Sequence, residues 1–154
     1  MSTTSLPPST SIPVASLGAK AEVASAIRKL LEPEYDLVHM CLSPAAASAE
    51  LPAVCAGDLS VPDSTGIGSN ASRPESERRV PRAIIFGGAV DDATLESIMS
   101  AVREAVAAKG GKEIGVVRVL REDVKAEGVD FPNAEILTKI IRRKLGVLEG
   151  EGKL

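Results

Sequence analysis

The chain has 154 residues, which is the size of one ordinary domain, so a second full-sized domain is excluded. Hydrophobic residues make up 44% and charged residues 25%, a composition too apolar for a wholly disordered chain. The net charge of −3 and the aromatic content of 2% provide neither the basic surface nor the stacking platform that nucleic-acid binding needs.

The first part of the chain predicts a flexible tail, a strand and a helix. Residues 1–11 are rich in Ser, Thr and Pro and predict the tail. Residues 12–17 form a short apolar run closed by Gly18, which predicts a buried strand and a tight turn. Residues 21–31 then carry apolar side chains at helical spacing, so a helix follows the strand.

The second unit contains a long apolar strand and an unusual connection. Residues 35–42 are nearly all apolar, which is typical of a parallel strand covered on both faces. Ser43 followed by Pro44 predicts the start of an Ala-rich helix, which we expect Pro52 to interrupt. Residues 57–81 are rich in Gly, Pro, Ser and charge, and predict either a functional loop or a disordered excursion.

Two further units complete the pattern. Residues 82–88 and residues 114–120 predict the third and fourth strands. Asp91 or Asp92 is expected to cap the helix between them. After a polar turn through Asp130, the last helix carries basic residues that we attribute to the negative end of its dipole, and the tail from Gly150 is expected to fray.

This alternation predicts an α/β fold, with residues 12–149 as a single domain. Four strand–helix repeats joined by right-handed crossovers give a small, doubly wound, four-stranded parallel sheet with helices on both faces. By analogy with flavodoxin-like and Rossmann-like sheets we expect the strand order 2-1-3-4. Such a sheet has two exposed edges, which are usually covered or paired, so a homodimer is expected.

The ligand crevice of such a sheet lies beyond the carboxyl ends of its strands. That rule selects five candidate ligand-binding residues: Gly18, Ser43, Gly87, Gly88 and Arg118. The dinucleotide fingerprint fails after the first strand, because Lys20 and Val23 stand where further glycines are needed. No cofactor is therefore expected, and a degenerate dinucleotide binder is kept as the weakest alternative.

His39 is the one histidine of the chain and the first candidate for proton transfer. Regular alternation along its strand groups it with Tyr35, Leu37 and Cys41. It is either a hydrogen-bonded core residue or an acid–base catalyst, and a nucleophilic pair with Cys41 is a weaker possibility. Because Cys41 and Cys55 lack CxxC spacing, we expect both to be reduced and buried, and we expect no metal site.

Charged residues near the strand ends supply the other candidate catalytic groups. Lys20, Arg121 and Asp123, together with Arg118, could orient a carboxylate or an enolate in a small pocket, or they could be solvated surface charges. Residues 66–70 of the long connection would either fold over that pocket as a lid or be mobile.

Three stretches, EPEYDLVHMCLS, GIGSN and PRAIIFGGAVDD, resemble a set of short Rossmann-like fungal proteins of about this length. The resemblance spans most of residues 18–145 and consists of strands and turns. It implies the fold and a setting in specialised small-molecule metabolism, and it carries over no catalytic residue.

Three functions are compatible with these features. The first is a cofactor-independent cyclase, isomerase or lyase that uses His39, Lys20, Arg121 and Asp123 on a small-molecule substrate. The second is a metabolite-binding or dimeric accessory protein that uses the same crevice. The third is the degenerate dinucleotide binder. The N-terminus lacks the pattern of a signal peptide and no apolar run reaches 18 residues, so we expect a cytoplasmic protein without a membrane partner.

Overall fold

The computed structural model describes residues 11–154, and within them it forms one four-stranded, all-parallel sheet. The strands lie in the order β2-β1-β3-β4, which confirms the expected doubly wound topology. Their bounds are β1 Ile12–Leu17, β2 Tyr35–Cys41, β3 Ala83–Phe86 and β4 Gly115–Arg118. The predicted flexible tail lies outside the described residues, except for Ser11.

Five α-helices cover the two faces of the sheet within residues 11–154. They are α1 Ala21–Leu31, α2 Pro44–Cys55, α3 Asp92–Ala108, α4 Arg121–Ala126 and α5 Ala134–Gly150. One apolar core joins the sheet to α2 and α3, and a second joins it to α1, α4 and α5. This distribution follows from right-handed crossovers, which place successive helices on opposite faces when the strand order reverses.

Two details of the helices differ from the sequence prediction. The polar turn expected after β4 contains α4, a helix of six residues whose only buried side chain is Val124. Pro52 does not interrupt α2, which continues through it to Cys55. Pro52 lies in the last turn, where the ring costs one hydrogen bond to the carbonyl of Ser48 and the rest of the helix stays packed.

The long connection, residues 57–81, is ordered and covers the outer edge of β2. It contains two short 3-10 turns, Ser69–Ser72 and Glu75–Glu77. The amide of Met40 donates to Oδ2 of Asp63 at 2.9 Å, so a side chain of the connection occupies a hydrogen-bonding site of the edge strand. The segment expected to be a lid or a mobile tip is therefore an edge cover, which protects β2 from pairing with another chain.

A buried carboxylate anchors the same connection to β2. Asp36 is 7% exposed and accepts hydrogen bonds from Ser69, from Arg73 at 2.8 Å and from Arg79 at 3.1 Å. Burial alone would raise the pKa of Asp36, but the hydrogen bonds from Ser69, Arg73 and Arg79 and the charge of Arg73 hold it below its usual value of 3.8. Asp36 thus fixes β2 to residues of the connection that lie more than 30 positions later in the chain.

The other edge of the sheet is β4, which pairs with β3 on one side and with no other strand among residues 11–154. Because the connection covers β2, β4 is the edge left for pairing with another strand, and the homodimer expected from the sequence stays a prediction. Every helix of the described chain falls short of the length or apolar character that spanning a bilayer requires.

Candidate functional site

The loops that follow β1, β3 and β4 come together at one edge of the sheet. The amide of Gly18 donates to the carbonyl of Cys41 at 3.0 Å, and the amide of Gly87 donates to that of Leu17 at 2.9 Å. The amide of Val119 donates to the last residue of β3 at 3.0 Å. Since Arg121 follows Val119 by two residues, this carboxyl edge contains the candidate residues of all three loops.

The glycines of this edge differ in how much room surrounds them. A Cβ atom at Gly18 would lie 3.1 Å from Cε of Met40, which is the flexible end of a side chain. At Gly87 it would lie 3.4 Å from the Leu17 carbonyl oxygen, and at Gly88 the same distance from that of Val119, which is the lower limit of ordinary contact. A side chain at Gly18 would therefore require Met40 to shift, whereas Gly87 and Gly88 have room for one.

Two candidate polar side chains cap helices or close turns at this edge. Oγ of Ser43 accepts from the amide of Ala46 at 3.1 Å and caps α2. Arg118 forms an ion pair with Asp92 and donates to the carbonyl of Val90 at 3.0 Å, so it closes the turn between β3 and α3. Its guanidinium group is engaged by the protein.

The N-cap of α3 is Asp91, whose Oδ1 accepts from the amide of Thr94 at 2.7 Å. This decides between the two aspartates proposed from the sequence. A carboxylate at this helix start satisfies the position at which an anionic ligand would otherwise bind.

Asp123 is held by backbone and by α5. One oxygen accepts from the amide of Leu120 at 2.8 Å and from Nζ of Lys144 at 2.6 Å, and the other accepts from Arg143 at 3.3 Å. Burial would raise the pKa of Asp123, but the Lys144 hydrogen bond and the positive charges lower it overall. Asp123 is therefore an ionised helix cap that is poorly suited to proton transfer near neutral pH.

Replacement of Asp123 by asparagine is expected to lower the free energy of unfolding by about 1 kcal/mol, because the ion pairs with Lys144 and Arg143 are lost while asparagine can still accept from the Leu120 amide. Urea unfolding at pH 7 measures this. Glu122→Gln, an exposed change on the same helix, is the matched control and is expected to leave stability within about 0.5 kcal/mol. Equal stability of the two variants would contradict the structural role of Asp123.

Lys20 and Arg121 are the candidate cations that remain available. Both are exposed, and neither side chain has an ion pair or hydrogen bond with any residue of 11–154. Lys20 is the N-cap residue of α1 and Arg121 is the first residue of α4. They contribute positive charge to the carboxyl edge without a structural partner.

His39 lies in the core between β2 and α2, where it is 1% exposed. Its Nε2 lies 2.8 Å from Oε1 of Glu50, and Oγ of Ser64 donates to the other oxygen of Glu50 at 2.8 Å. The sequence reasoning passed over Glu50. The pattern that could have indicated Glu50 is a single acidic residue within the otherwise apolar and small-residue segment PAAASAELPAVC.

Two of the three residues predicted to share a face with His39 lie on the other face of the sheet, because β2 contains a bulge. Ala15 of β1 pairs with His39, whereas Val14 pairs with Leu37, so Val38 is an extra residue in β2. Tyr35 and Leu37 belong to the core of α1 and α5. Cys41 belongs to the core of α2, on the side where His39 meets Glu50.

Both cysteines are free and buried, as expected. Sγ of Cys41 lies 3.9 Å from Oε1 of Glu50. Burial and the carboxylates of Glu50 and Asp63 raise the pKa of the Cys41 thiol, and burial raises that of Cys55 to about 12. Because a thiolate is the nucleophilic form, this arrangement does not activate Cys41 for attack on a substrate.

A groove of about 370 Å³ lies between the first turns of α2 and α3. It is lined by three hydroxyl side chains and four apolar or small ones: Ser48, Thr94, Ser97, Pro44, Ala45, Ala93 and Ile98. These two helices start from the loops after β2 and β3, so the groove lies at the carboxyl edge of the sheet. Strands β2 and β3 flank β1, so the groove is also near the point where the strand order reverses.

A second cavity, of about 420 Å³, lies at the opposite edge of the sheet. Ser11, Pro13, Arg79, Arg82 and Leu154 are among its lining residues. It is slightly larger, but it opens at the amino ends of the strands, where parallel α/β sheets do not place their ligand sites. We therefore take the groove between α2 and α3 as the candidate site.

Comparison with known proteins shows one fungal homologue. Over 100 residues the chain is 35% identical to "Kojic acid related protein 6" of Aspergillus oryzae. The aligned region covers 65% of this chain and 55% of the homologue. The chain thus spans about half the length of that curated relative. No family model matches the chain. No solved structure matches it either.

Proposed function

We propose that this chain is a small-molecule-binding protein of fungal specialised metabolism, and that its ligand binds in the groove between α2 and α3. The groove is the observation that carries the proposal. It lies at the carboxyl edge of a parallel sheet, and its volume of about 370 Å³ is within the range of roughly 300–1,000 Å³ typical of small-molecule sites.

The lining of the groove favours a neutral, oxygen-rich ring. None of its seven residues is ionisable, and the hydroxyl groups of Ser48, Thr94 and Ser97 can donate or accept hydrogen bonds. Pro44, Ala45 and Ala93 are exposed and offer apolar surface to the face of a ring. The name of the fungal homologue links that protein to kojic acid, so a hydroxypyranone is the natural first probe.

Binding is better supported than catalysis by the positions of the acid–base candidates. His39 is 1% exposed and paired with Glu50, and Asp123 is ion-paired with α5. Neither residue lines the groove. Lys20 and Arg121 supply positive charge to the same edge but no general base. The cytoplasmic location expected from the sequence stays part of this proposal.

Kojic acid titrated into the purified chain is expected to release or absorb heat with a single-site isotherm. Ser48→Trp fills the groove and is expected to weaken binding at least about tenfold, since an overpacked site excludes the ligand. Ser100→Trp is the matched control, because Ser100 is exposed on α3 and does not line the groove. Isothermal calorimetry measures both.

Two outcomes would contradict the proposal. One is unchanged affinity in Ser48→Trp, which would move the ligand away from the groove. The other is failure of kojic acid, related hydroxypyranones and small hydroxy acids to stabilise the wild-type chain against heating. Conversion of a bound probe, followed by NMR, would favour the acid–base enzyme, and stabilisation by NAD(P) alone would favour the dinucleotide binder.

A further inference from the structure

Three side chains that bind transition metals meet between β2 and α2. They are His39, Cys41 and Glu50, and their ligand atoms all lie within 4.8 Å of one another. Two of the separations are 2.8 Å, from Nε2 of His39 to Oε1 of Glu50, and 3.9 Å, from Sγ of Cys41 to the same oxygen. None of the three lines the groove assigned to the ligand.

We propose that His39, Cys41 and Glu50 bind a divalent metal ion of the zinc class. With zinc bonds of about 2.0–2.3 Å, tetrahedral geometry separates a nitrogen from an oxygen ligand by about 3.4 Å and an oxygen from a sulfur ligand by about 3.6 Å. The separations of 2.8 and 3.9 Å lie on either side of these values, and the third, between His39 and Cys41, is within 4.8 Å, so side-chain rotations are needed to bring the three groups to one ion.

The charge of the cluster suits a divalent ion. On binding, the thiol proton of Cys41 leaves to solvent, and the sulfur and the Glu50 carboxylate together supply two negative charges to the ion. His39 binds as a neutral ring. The loaded cluster is then neutral overall, which favours it in a core where His39 is 1% and Cys41 0% exposed.

Nε2 of His39 faces Glu50 and would bind the ion, which leaves the ring proton on Nδ1. Nδ1 is buried and has no hydrogen-bond partner among the described residues, so the loaded site would lack the outer acceptor that metal-binding histidines usually have. The proposal rests on the convergence of the three ligand atoms.

The surroundings also provide an entrance and an orienting contact. Oγ of Ser64 donates to Oε2 of Glu50 at 2.8 Å and fixes the carboxylate, as outer hydrogen bonds do for metal ligands. Glu50 and Ser64 are the solvent-facing side of the cluster, since the Glu50 side chain is 13% exposed and Ser64 is exposed. Three protein ligands leave a fourth position for water. The lack of CxxC spacing, which had argued against metal, does not apply to a mixed set of this kind.

Cobalt(II) added to the metal-free chain is the test. We expect one equivalent to bind and to produce both the near-ultraviolet absorption of a cobalt–thiolate bond and the visible bands of a tetrahedral ion. Cys41→Ala is expected to lose the thiolate absorption. Cys55→Ala, which removes the other buried cysteine, is the matched control and is expected to keep it.

Glu50→Gln keeps the volume and the hydrogen-bonding oxygen of the side chain, so it tests the site even if Cys41→Ala does not fold. It is expected to weaken zinc and cobalt binding at least about tenfold and to abolish the rise in melting temperature that zinc gives the wild-type chain. Absence of the thiolate absorption in wild type, or metal binding that is equal in wild type and Glu50→Gln, would overturn the proposal.

Discussion

Replacement of Asp36 by alanine is expected to lower the free energy of unfolding by about 3–5 kcal/mol, because it leaves two arginines without their shared partner in a buried position. Asp36 is 7% exposed, and the side chains of Arg73 and Arg79 are 23% and 18% exposed. Urea unfolding at pH 7 measures the loss. Asp130→Ala is the matched control, since Asp130 is exposed and has no partner within residues 11–154.

The loss of unfolding free energy caused by Asp36→Ala is expected to be smaller at acid pH. The pKa of Asp36 is lower in the folded chain than its usual value of 3.8, so its contribution is present above that value and is lost as the pH falls through the folded pKa. The difference in stability between wild type and Asp36→Ala should therefore be constant above about pH 5 and shrink as the pH falls below about 4. A difference that stays constant as the pH falls below about 4 would contradict the ion-pair role.

Loss of Asp36 is also expected to release the connection of residues 57–81 from β2. Arg73 and Arg79 belong to the connection and hold the edge strand through this one carboxylate. Limited proteolysis should cut Asp36→Ala within the connection much faster than it cuts wild type, because local opening exposes the backbone. Equal cutting rates would assign the anchoring to the contacts of Asp63 alone.

The architecture was predictable because local signals agreed with one another. Apolar runs at residues 12–17 and 35–42, separated by helical spacing, fixed the strand–helix alternation, and alternation with right-handed crossovers leaves few topologies. Helix α4 was missed because its six residues, REDVKA, are polar and bury a single side chain. A helix that short has too little periodicity to be recognised.

The sequence predicted that the loops at the carboxyl edge of the sheet lie together, but none of the site residues proposed from it lines the groove between α2 and α3. Parallel strands bring Gly18, Gly87 and Arg121 to one edge whatever the side chains are. The pairing of Asp123 with Lys144 was not visible, because α5 runs on to Gly150 and places its basic residues in the middle of the helix and not at its negative end. Arg143 and Lys144 form ion pairs with Asp123 of α4, whereas the sequence suggested that they stabilise the negative end of the helix dipole.

The environment of His39 depended on two features that local patterns do not contain. A bulge at Val38 changes the face of every later residue in β2, and one inserted residue leaves no mark on an apolar run. Glu50 approaches from the next helix, and Ser64 from the connection after it. Such a cluster is a property of the packing of three segments and is seen only once they are assembled.

Replacement of Gly68 by alanine is expected to lower the free energy of unfolding by about 1–3 kcal/mol or more through steric conflict alone. A Cβ atom at this position would lie 2.7 Å from Cα of His39 and closer still to the carbonyl oxygen of Val38. Both are backbone atoms of β2, so neither can rotate away. The φ angle of −63° is one that alanine adopts freely, so backbone strain does not contribute.

Gly146→Ala is the matched control for this steric effect. Gly146 lies in α5, and a Cβ atom there would meet nothing within 4 Å, so alanine is expected to stabilise the helix by about 0.5–1 kcal/mol. Opposite signs for the two variants in urea unfolding would establish that residues 57–81 press directly on β2. A Gly68→Ala chain as stable as wild type would mean that the connection can move away from the edge strand at no cost, and β2 would then be open to pairing with a second chain.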